Sequence, residues 1–99
     1  MKVRLSKLAT LEYREIIFNL ADQYGVEKAM QFEIDFEAKR NQLRKFPFSF
    51  GTIFETKKRK FMVNPYITVI YIVNEDLGCI EILNFWFNRS NPVVLLQHL

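Results

Sequence analysis

The chain has little of several things. A single cysteine, Cys79, stands among 99 residues. That excludes an internal disulfide framework and a CxxC metal or redox pair. One histidine, His98, excludes a His-rich metal cluster. Gly and Pro number three each, too few for a collagen-like or low-complexity chain. No apolar run approaches the ~18 residues of a membrane span. The segment Met1-Lys2-Val3-Arg4-Leu5-Ser6 lacks the apolar stretch of a secretory leader. No P-loop or dinucleotide fingerprint is present, so no cofactor or metal is expected. The expectation is one soluble, cytoplasmic domain over 1–99, with apolar residues at 49% to build its core.

Charge is unevenly placed. Lys39 to Met62 holds eight basic residues (Lys39, Arg40, Arg44, Lys45, Lys57, Lys58, Arg59, Lys60) against one acid, Glu55. That segment carries +7 and the remainder −4, for a total of +3. A local positive field of this kind suits an anionic partner, and equally a solvated basic face.

Apolar spacing orders the elements. Lys2 to Leu5 is short and extended. Ser6 is placed to cap a helix. Ala9, Tyr13, Ile16, Ile17, Leu20 and Tyr24 recur at helical spacing over Lys7–Tyr24, and Gly25 ends the run. A second helical stripe, Ala29, Phe32, Phe36 and Leu43, runs from Val26 to Lys45, and Pro47 sets its stop. So short a connection predicts an antiparallel helical hairpin. Thr52–Glu55 and Arg59–Asn64 are candidate strands joined by a basic turn. Tyr66–Val73, β-branched and aromatic throughout, reads as a central strand covered on both faces. Asn74-Glu75-Asp76-Leu77-Gly78 reads as a hairpin loop before a last strand, Cys79–Phe87. The predicted class is α+β in two layers: an N-terminal strand and a helical hairpin packed on an antiparallel meander.

This order resembles the RelE/ParE superfamily of type II toxin–antitoxin toxins. The resemblance rests on Ala29-x-x-Phe32, Leu43-x-x-Phe46-Pro47, Pro65-Tyr66-Ile67-Thr68-Val69-Ile70-Tyr71, Ile80-Glu81-Ile82-Leu83 and Phe87-Asn88-Arg89-Ser90-Asn91-Pro92. It implies a toxin, plasmid-stabilisation-like, that inhibits growth and is neutralised by a cognate antitoxin protein. A ParE-like member acts on DNA gyrase through protein contacts, without chemistry of its own. A RelE-like member is an enzyme that cleaves messenger RNA at the ribosome. A third reading keeps the fold as a non-toxic binding module. The antitoxin is expected to lay an acidic or amphipathic segment over the basic surface.

The resemblance also ranks site residues. Arg89 matches the arginine that RelE-like members set on the scissile phosphate, where a guanidinium stabilises developing charge. ParE-like members also carry an arginine there, and a surface role is the plainer reading. Lys57, Lys58, Arg59 and Lys60 match basic strand residues that hold RNA phosphates. Alternation along a strand lets only Lys57 with Arg59, or Lys58 with Lys60, share a face. The plainer reading is a solvated turn that protects a strand edge. His98 stands near the position of a C-terminal acid, but no tyrosine follows Tyr71, a departure from the ribonuclease pattern. Glu55 as a general base is opposed by the cations around it. Phe85, Trp86 and Phe87 are assigned to the core, and Cys79 to a buried structural thiol.

Overall fold

The computed structural model describes residues 1–53 and 55–87. Its elements follow the order β1 (Lys2–Leu5), α1 (Lys7–Tyr24), α2 (Val26–Lys45), β2 (Arg59–Asn64), β3 (Ile67–Asn74) and β4 (Cys79–Phe87).

Local chemistry sets the boundaries. Ser6 caps α1, its hydroxyl accepting from the Ala9 N–H at 3.0 Å. Gly25, at φ 97°, closes α1 and opens α2, a backbone conformation that side chains with a Cβ resist. Phe46, pushed out of helical geometry by Pro47, ends α2 at φ −134°. Asn64 turns the chain between β2 and β3, its Oδ1 accepting from the N–H groups of Tyr66 and Ile67. Gly78, at φ 63°, closes the β3–β4 hairpin.

The four strands form one sheet in the order β1-β4-β3-β2. The meander β2–β3–β4 is antiparallel, as expected. β1 joins it parallel to β4, with Val3 opposite Ile80 and Leu5 opposite Ile82, so the sheet is mixed. Of the strand expected over Thr52–Glu55, Thr52 makes only an isolated bridge to Arg59, Ile53 and Glu55 belong to no strand, and Phe54 lies outside the described residues. The reason is local, because the Ile53 carbonyl already accepts from the Thr56 N–H and Oγ1, and Glu55 sits at φ 58°. That turn closes before a strand can extend.

One face of the sheet packs on both helices. Ile67, Val69 and Tyr71 of β3 are fully buried there, with Ile80, Ile82 and Phe85 of β4 and Phe61 and Val63 of β2. Tyr13, Phe32, Phe36 and Phe85 pack in tilted and stacked pairs with centroids 5.2–6.5 Å apart, locking the hairpin to the sheet. β3 is thus central, but its second face is only half covered: Ile70 and Ile72 are partly exposed.

Candidate functional site

The basic run divides between two places, because its residues sit where a turn becomes a strand. Arg59, the first residue of β2, points to the helix side of the sheet. Its guanidinium donates to the carbonyls of Phe48 at 3.3 Å and Phe50 at 2.8 Å, and lies 5.0 Å above the Phe48 ring. Arg59 is therefore a clamp on the segment after α2. Lys57, in the preceding turn, is exposed and lines a groove of about 690 Å³ with Thr52, Thr56 and Arg59 on one wall and Asn74, Glu75 and Asp76 on the other. The carboxylates opposite weaken that groove as a phosphate cradle. Lys58 is exposed, its backbone pairing with Ile53 and with the Thr56 hydroxyl. Lys60 stands on the opposite face, beside Gly51, Met62 and Thr68.

That opposite face is the part of the sheet the helices leave open. Register places Met62, Thr68 and Trp86 in one row across β2, β3 and β4, and Lys60, Ile70 and Asn84 in the next. Met62 and Trp86 are 51% and 61% exposed. Further along, Glu81 pairs with Arg4 of β1 at 3.2 Å. The face therefore offers an aromatic ring, aliphatic side chains and a lysine at one end. Trp86 does not belong to the core with Phe85 and Phe87. The strand alternates, so Phe85 faces the helices and Trp86 the open side.

Two phenols are held in their neutral form. Tyr71 is fully buried and donates to the Pro47 carbonyl at 2.9 Å. Burial raises its pKa above 10.0, with Arg59 opposing. Tyr13 is also raised, by burial first and then by Glu33. Both point inward and serve packing. Cys79 is buried and unpaired. Among the described residues no group of His, Cys, Asp and Glu is arranged to hold a metal.

No protein-family model matches the sequence. No curated protein matches it either. Solved structures do match. A chain of the chromosomal ParDE TA system from P. aeruginosa superposes with a TM-score of 0.73 at 17% identity, covering 90% of this chain and 97% of that chain. The fold is RelE/ParE-like. The conserved hypothetical protein HP0894 from Helicobacter pylori matches with a TM-score of 0.57 at 14% identity, over 89% of this chain and 94% of its own.

On this RelE/ParE-like frame, strand alternation governs only Arg59 and Lys60 of the basic run, because β2 begins at Arg59 and Lys57 and Lys58 precede it. Lys57 and Arg59 share one groove, and Lys60 faces away. Glu55 is exposed in its turn and makes no ion pair among the described residues. Arg89 and His98 lie outside the described residues. Sequence reasoning placed Trp86 in the core and passed over Met62, so it missed the open-face row they form. It also passed over a second apolar stripe on the helices: Leu11, Phe18, Met30 and Ile34 are 55–69% exposed, on the sides of α1 and α2 turned from the core. The signal was available, since Met30 and Ile34 are spaced i,i+4. It was masked by the stronger core stripe.

Proposed function

We propose that the chain is the toxin of a type II toxin–antitoxin pair: ParE-like, arresting growth in the cytoplasm through a protein target such as DNA gyrase, and held inactive by a cognate antitoxin. The observation that carries this reading is the likeness to the ParDE chain over nearly the whole length of both molecules. Two surfaces support it. The open sheet face and the outer helical stripe expose large apolar side chains, and such patches mark protein–protein contact. The test is induction of the chain in cells, alone and with the neighbouring reading frame. Growth arrest with DNA breaks, relieved by the neighbour, is the expected result. Normal growth on induction would favour the non-toxic binding module.

A second reading is a ribosome-dependent mRNA endonuclease. Its support is the set of solvent-facing lysines, Lys57, Lys58 and Lys60, with Arg89 as the phosphate ligand and His98 as the acid. Message cleavage without DNA breaks after induction would select it.

A further inference from the structure

α1 and β4 enclose a cavity of about 150 Å³ on the helix side of the sheet, lined by Glu12, Glu15, Asn19, Leu20, Phe85 and Phe87, among others. Its floor is aliphatic and aromatic. Its rim carries two carboxylates one turn apart on α1. Glu12 is fixed in place, its Oε1 accepting the Phe85 N–H at 2.9 Å. Among the described residues no cation pairs with Glu12 or Glu15. Arg14, between them in sequence, lies on another side of the helix.

A hollow with an apolar body and an anionic rim is complementary to a side chain with an apolar stem and a cationic head. Arginine fits better than lysine. Its planar guanidinium stacks on aromatic faces and takes carboxylate oxygens two at a time. We propose that this cavity is an anchor site for an arginine side chain presented by the chain's protein partner. The proposal rests on the reading that such a partner exists, and names one residue type that partner must carry. It adds an anionic contact to a molecule whose charge otherwise invites acidic partners.

The test uses the full-length protein and N-acetyl-arginine amide as the probe, followed by amide chemical shifts. The expected result is saturable shifts at Ile16, Asn19 and Phe85. The neutral isostere N-acetyl-citrulline amide should bind at least about fivefold more weakly, and Glu15→Gln should weaken the arginine probe by a similar factor. Glu15 is exposed, so its substitution leaves the fold intact. Shifts centred instead on Glu75 and Asp76, equal binding of the citrulline probe, or no saturable shift would each overturn the proposal. None of these outcomes bears on growth arrest, so failure of the anchor site and failure of the toxin reading are told apart.

Discussion

The Tyr71 hydroxyl donates to the Pro47 carbonyl at 2.9 Å, joining the buried centre of β3 to the turn that follows α2. Twenty-four residues separate the two in sequence. The bond fixes where the aromatic and basic segment 46–60 leaves the helical layer. Tyr71→Phe should cost about 1 kcal/mol, since a part-buried carbonyl loses its donor while the ring still packs. Urea unfolding at neutral pH measures this.

Alkali tests the same residue. The folded state keeps the Tyr71 and Tyr13 protons to a pH above 10.0, whereas the unfolded chain releases them near that value. Between the two pKa values the native state binds more protons, so stability falls as pH rises. The contribution is complete below about pH 10 and is lost above it. The wild-type urea midpoint should drop beyond pH 10, and Tyr71→Phe with Tyr13→Phe should flatten that drop. An unchanged slope in the double variant would place the alkaline transition elsewhere.

Ser6 performs two tasks with one hydroxyl: it accepts from the Ala9 N–H and donates to the Leu83 carbonyl at 2.7 Å. Ser6→Ala should therefore cost about 1–2 kcal/mol, at the upper end for a helix cap. Ser6→Thr retains both bonds and should recover most of it. Ser6→Asp keeps the cap but loses the donor, and should fall between. Thermal melts of the three variants rank them.

Arg59 and Lys60 are neighbours with opposite roles. Arg59→Ala removes two carbonyl contacts and the packing on Phe48, and should destabilise by about 1–2 kcal/mol. Arg59→Lys should not restore it, because an ammonium lacks the planar fork. Lys60→Ala should change stability by less than about 0.5 kcal/mol. If Lys60 binds an anionic partner, its loss should slow association and reduce the salt dependence of binding.

Arg89 is tested through growth. If the chain is a toxin, Arg89→Ala should weaken arrest on induction while circular dichroism stays native. In a catalytic site one lost donor typically costs ~10²–10³ in rate. A folded Arg89→Ala protein that arrests growth fully would remove Arg89 from the site.

The sequence by itself determined the helices, their hairpin and the antiparallel strands, because each rests on local chemistry. Ser6, Gly25, Phe46-Pro47 and Gly78 punctuate the chain through their own backbone preferences, and apolar periodicity marks what each element buries. It also determined that Arg59 and Lys60 would point to opposite faces, since strand alternation is a local property. Tertiary structure decided the rest. A strand's partner depends on distant residues, so the parallel docking of β1 on β4 was not written in Lys2–Leu5. Exposure of Trp86 depended on the helices covering one face of the sheet and leaving the other open. Arg59 reads as one cation among four, and only the return of Phe48 and Phe50 to its guanidinium makes it a clamp. The carboxylates of Glu12 and Glu15 are ordinary helix residues until β4 lays Phe85 and Phe87 beneath them, because a cavity is made by two elements meeting.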